Sequence, residues 1–121
     1  MNALIDLKLP LRSELFTTAR LLTGGVCSLV GLSVDDSEDC KVCVTESLLL
    51  LKNSGFSSAR LVFEEKDGIA VSIEGAEGDG TGELSPEEEI SVALLQALVE
   101  ELQLKRTERG VCKITFGFGR V

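Results

Sequence analysis

Residues 35–55 read DDSEDCKVCVTESLLLLKNSG, and the fold turns on this stretch. Cys40, Cys43, Val44, Leu48 and Leu51 recur three or four residues apart, which places them on one apolar stripe of a helix. Asp35 with Glu38 has the spacing of a capping box, and Asn53-Ser54-Gly55 supplies the stop. A helix that is apolar along one stripe must bury it against a second layer.

The flanking residues supply that layer. Downstream, 59–63 and 69–73 are rich in β-branched and aromatic residues and are joined through Asp67-Gly68, which predicts an antiparallel hairpin. Upstream, Ile5, Leu7 and Leu9 alternate with Asp6 and Lys8 before Pro10, the pattern of a half-buried strand. Between that strand and the central helix, Leu15, Ala19, Leu22, Val26, Leu29 and Val30 follow helical spacing, which predicts a helix over 13–31 with Ser13 as its cap. Gly24 and Gly25 weaken its middle by ~1 kcal/mol each relative to Ala and mark a place for a kink.

Residues 75–82 hold four glycines and read as a flexible loop. Ser85-Pro86-Glu87-Glu88 then starts a third helix that leads through 90–102, with Glu87, Glu88 and Glu89 at the positive end of its dipole. Segments 104–107 and 111–118 close the chain as a second hairpin. The order β-α-α-β-β-α-β-β predicts an α+β fold. It is a two-layer α/β sandwich whose mixed, mostly antiparallel sheet is covered on one face by three helices.

Composition narrows the function. At 121 residues the chain reads as a single domain spanning 1–121, and 44% hydrophobic residues suffice for a core. Twenty acidic against 12 basic side chains leave a net charge of -8, which opposes a phosphate backbone and excludes a dedicated nucleic-acid binder. The absence of histidine removes Ser-His and Cys-His nucleophile pairs and imidazole metal sites. The apolar run 48–51 is far below the ~20 residues of a membrane span, and Asp6 and Lys8 interrupt any signal-peptide core, so the expectation is a cytoplasmic protein with no membrane partner. The four cysteines are sparse for a disulfide scaffold, and Cys40 and Cys43, despite their C-x-x-C spacing, fall on the apolar stripe as small core residues.

Read together, Ser13-Glu14 through Arg20-Leu21, Gly25-Val26, Gly31-Leu32 and 35–46 resemble the anti-sigma-factor serine/threonine kinases of the GHKL, or Bergerat-fold, ATPases. The shared pattern is a helix, a glycine-hydrophobic turn, an acidic cap and K-x-x-V-[ST]-E ending at Glu46. The resemblance implies that Glu46 stands where the kinases keep a catalytic base, and that Leu50 stands where they keep a magnesium-holding Asn. Residues 46 and 50 lie one helical turn apart and share a face, but leucine offers no oxygen to a hard cation.

The resemblance further places Glu74 at the adenine-binding Asp, with Ala76 and Gly78 at the glycines that follow it, so only the last glycine remains. Glu89 and Ser91 stand at the two phosphate-facing glycines of the third helix. With Glu87 to Glu89 crowding a helix end where phosphate would sit, the implied nucleotide site is largely dismantled. Arg20 matches a region that the kinases present to sigma factor, and reads either as a partner contact or as a solvated helix-face arginine.

The expected function is a degenerate regulatory module that binds a protein partner, either a sigma factor or an anti-sigma antagonist, without ATP turnover. A homodimer is compatible with this role, and no cofactor or metal is expected. Two alternatives stand beside it. One is an active serine/threonine kinase that uses ATP and magnesium. The other is a small-molecule sensor whose vacated pocket would be lined by Leu50 and Ile90.

Overall fold

The structure is a computed structural model that describes residues 3–78, 86–107 and 110–119. Among these residues lie five strands: β1 (Ala3–Pro10), β2 (Phe56–Glu65), β3 (Gly68–Gly78), β4 (Gln103–Thr107) and β5 (Gly110–Gly119). Three α-helices accompany them: α1 (Phe16–Leu29), α2 (Val34–Asn53) and α3 (Pro86–Leu98). The chain order is β1-α1-α2-β2-β3-α3-β4-β5, the α+β arrangement that the sequence pattern predicts.

The sheet order is β1-β2-β3-β5-β4, and every pairing is antiparallel. The expected mixed sheet is therefore corrected. β4 runs parallel to β3, but the closing hairpin inserts β5 between them, so no parallel pair forms. Alternation sorts the two faces. Ala59, Leu61 and Phe63 of β2, Ile69, Val71 and Ile73 of β3, and Ile114, Phe116 and Phe118 of β5 are buried together with the helices in one core. The intervening residues, among them Arg60, Glu74 and Lys113, take the other face.

α2 is the central helix of this layer, packed on α1, α3 and three strands. Its stripe of Cys40, Cys43, Val44, Leu48 and Leu51 is fully buried, and Leu50 is buried with it. The cap lies two residues earlier than the capping-box spacing suggests: Ser33 Oγ accepts from the Asp36 N–H at 3.1 Å. A serine hydroxyl reaches that N–H as an N-cap should, while Asp35 and Asp36 stay in the first turn, where carboxylates complement the dipole.

Ser13 is not the cap of the first helix. The chain enters it through a 3-10 turn, Ser13–Leu15, because buried Leu11 is held to the sheet edge by its N–H bond to the Ser57 carbonyl at 2.9 Å. Ser13 Oγ instead accepts from Lys52 Nζ at 2.8 Å, which ties the start of the α1 segment to the end of α2. α1 is helical without interruption through Gly24 and Gly25. A Cβ at Gly24 would stand 2.8 Å from Lys41 Cε, so this glycine admits the Lys41 stem.

β3 continues through Gly78, which overturns the loop expected from Gly75 onward. The glycines here serve packing between strands. The Phe56 ring lies over Gly75, where a Cβ would come within 2.5 Å of it, and Gly78 has φ +97° against the backbone of Gly55 and Phe56. Two register shifts between β2 and β3 accompany this close approach. Residues 79–82 and the expected cap Ser85 lie outside the described residues. α3 ends at Leu98, earlier than expected, and buried Val99 begins the passage to β4. No described helix is long and apolar enough to cross a membrane.

Candidate functional site

The seam between α2 and α3 gathers the polar side chains that matter most. Glu46 lies at mid-helix on α2, half-buried, and its Oε2 accepts a hydrogen bond from Ser91 Oγ of α3 at 2.6 Å. Ser91 is itself buried. A hydroxyl donating to a carboxylate at this distance is a charge-assisted bond, among the stronger links two side chains can make. One turn along α2, Leu50 is completely enclosed by the core.

On α3 the matching step is Glu88, three residues before Ser91 and therefore on the same face. Its side chain is 5% exposed and stands 3.6 Å from Arg106 Nη1 of β4. Its Oε1 has no hydrogen-bond partner, so this ion pair is its polar contact among the described residues. Two polar pairs thus flank α3, Glu46 with Ser91 and Glu88 with Arg106, while Leu50 of α2 belongs to the core.

Electrostatics deepens the picture on α2. Burial, aided by the negative charges of Asp39 and Glu46, pushes the Cys43 thiol up to about 12. Across the α1–α2 contact, a thiol-to-thiol hydrogen bond lowers Cys27 and drives Cys40 well above the ordinary thiol range, with burial adding to the latter. Both sulfurs are fully buried, and the cysteines are free. Cys40 and Cys43 are core residues.

The other positions singled out in the sequence do not join the seam. Glu74 lies on the face of β3 turned from the helices, in register with Arg60 of β2 and Lys113 of β5, and its charge helps to raise the Arg60 guanidinium. The larger influence on Arg60 is Asp6, which accepts from it at 2.8 and 2.5 Å in a two-pronged bond that also lowers the Asp6 carboxyl. Ala76 is exposed, and Gly78 is taken up by its contact with the start of β2.

Glu89 is exposed beside buried Glu88 and Ser91. Ile90 is 60% exposed, while Leu50 lies in the core. Leu50 and Ile90 therefore do not line one pocket, because a helix turns ~100° per residue and the face that sends Ser91 inward sends Ile90 out. Arg20 is exposed on α1. Among the described residues, no three Cys, Asp or Glu side chains are grouped to hold a metal ion.

Local pattern does not single out Glu88, Arg106 or Phe56. Glu88 reads as one more charge at a helix end, yet it sits three, seven and eleven residues before Ser91, Leu95 and Val99, all buried on the inner face. That spacing was the available signal. Phe56 carried no local signal, because its partner Gly75 is reached only through strand pairing.

No protein-family model matches the chain, and no curated protein matches its sequence.

Proposed function

We propose that this chain is a protein-binding regulatory module, similar to a degenerate anti-sigma-factor kinase, that works without ATP turnover. The observation that carries the reading is the Ser91 Oγ to Glu46 Oε2 bond of 2.6 Å. By the resemblance, Glu46 is the position of a base, and a base must reach the hydroxyl of a substrate. Here its carboxylate is engaged by a hydroxyl of the chain itself.

The neighbouring positions support the same reading. Leu50 has no oxygen for magnesium and lies wholly within the core. In the first turns of α3, a helix end suited to an anion, the chain supplies the buried Glu88 carboxylate, which repels phosphate. The Phe56 ring covers Gly75, the residue after Glu74, which the resemblance puts at the adenine-binding Asp.

The surface supports a protein partner. Leu21 and Leu29 of α1 are each 74% exposed, and Arg20 is exposed next to Leu21 in the chain. Two largely exposed leucines on one helix offer the kind of apolar surface that a protein partner covers. By resemblance the partner is a sigma factor or an anti-sigma antagonist.

Thermal unfolding with millimolar ATP or ADP, with and without magnesium, tests the nucleotide half. The expected result is an unchanged midpoint. A ligand present at about a hundredfold over Kd adds roughly 2.7 kcal/mol, so a magnesium-dependent rise would overturn the reading in favour of an active kinase. For the partner half, Arg20→Glu and Leu29→Glu should each weaken binding to a sigma factor or antagonist. Full affinity in both variants would remove α1 from the interface.

A further inference from the structure

The first turn of α2 and the last turn of α3 point to a different part of the molecule. There the sheet end that carries the β2–β3 turn opens into a groove of about 760 Å³. Its floor is apolar, formed by Ile69, Val99, Phe116 and Phe118.

A strand edge borders this groove. β4 pairs with β5 only as far as Thr115, opposite Gln103, whereas β5 continues to Gly119. Over 116–119, β5 is paired with β3 on one side and with no described strand on the other. Such an edge presents N–H and C=O groups at fixed spacing, a template for another extended chain. Four residues of edge span roughly 14 Å at the rise of a strand.

The rim is acidic on balance. Asp36, Asp67, Glu100 and Glu101 line the groove against a single cation, Lys66. A second copy of this chain, itself at -8, would bring the same acidic rim into a two-fold contact and be repelled. A basic segment is drawn in.

We propose that this groove receives an extended segment of a partner protein in which apolar residues alternate with Lys or Arg, added to the sheet beside residues 116–119 of β5. Alternate apolar side chains of that segment face Phe116 and Phe118, while its cations remain within reach of Glu100, Glu101 and the opposite wall. The proposal is independent of the nucleotide reading, since it uses neither Glu46 nor Ser91.

Fluorescence anisotropy of the whole chain with a dye-labelled peptide of alternating Val and Lys tests it, with the Val and Glu counterpart as control. The Val/Lys peptide should bind saturably below about 1 mM and more weakly as salt rises. The acidic peptide, and the Val/Lys peptide on the Glu100→Lys, Glu101→Lys double variant, should each bind at least about tenfold more weakly. Both positions are exposed, so the variant keeps its fold. Amide exchange should slow at 116–119 when the peptide is bound. The proposal is overturned by equal affinity for the two peptides, by unchanged affinity in the double variant, by protection on β1 instead, or by no saturable binding.

Discussion

The inner seam of α2 and α3 and the outer face of α1 treat their side chains in opposite ways. At the seam, polar groups that could reach a ligand are turned on each other: Ser91 donates to Glu46, Glu88 lies beside Arg106, and Leu50 is enclosed in the core. On α1, apolar groups that could be buried are left out, with Leu21 and Leu29 both largely exposed. Side chains paired with one another offer little to a small polar ligand, and exposed leucines offer an apolar contact to a protein. The difference supports the proposed protein-binding reading over a nucleotide-binding one.

Placing a polar group in the core beside the seam should have the largest effect. Leu50→Asn places an amide where the core is complete, losing buried methyls and stranding a polar group, so urea unfolding should show a loss of about 3–5 kcal/mol. A variant as stable as the parent would mean that position 50 can reach water or a ligand, and the contrast with α1 would fail.

Next in size is Gly75→Ala, whose new Cβ would press on the Phe56 ring. It should destabilise by about 1–3 kcal/mol, and adding Phe56→Leu should recover part of that loss. Additive effects of the two changes would show that the ring is not what closes this end of β3.

Ser91→Ala removes the donor to Glu46 and should reduce stability by about 1–2 kcal/mol, toward the low end for a hydrogen bond to a charged group because Glu46 is only half-buried. A double-mutant cycle with Glu46→Gln should show coupling, and zero coupling would mean that the bond contributes nothing in solution. The smallest effect belongs to α1: Leu21→Ser and Leu29→Ser should change stability by no more than about 0.5 kcal/mol. A loss of several times that would show these leucines to be structural, packed within an assembly.

What could be read in the sequence follows the range of the interactions involved. The stripe of α2, the Asp67-Gly68 turn and the alternation of β1 depend on residues close in sequence, and the structure has them as read. Ser33 rather than Asp35 caps α2 because both candidates have a capping side chain and only the chain path decides between them. The length of β3 was hidden because its glycines look like a loop until Phe56 is placed over Gly75. The neighbour of β3 was hidden too, because pairing with β5 depends on how the last hairpin returns.

The candidate site was legible to the same extent. The resemblance singles out Glu46 and Ser91, but their mutual bond spans 45 residues. That Glu74 faces away from the helices follows only from the pairing of β3.

The central claim is that the α2–α3 seam is closed to nucleotide. It is tested most directly by amide correlation spectra of the labelled chain during titration with ATP and magnesium to about 5 mM, where even weak binding near Kd 1 mM would be visible. The account predicts that the Glu46, Leu50 and Ser91 signals stay where they are. Saturable, magnesium-dependent shifts at those three amides would contradict it.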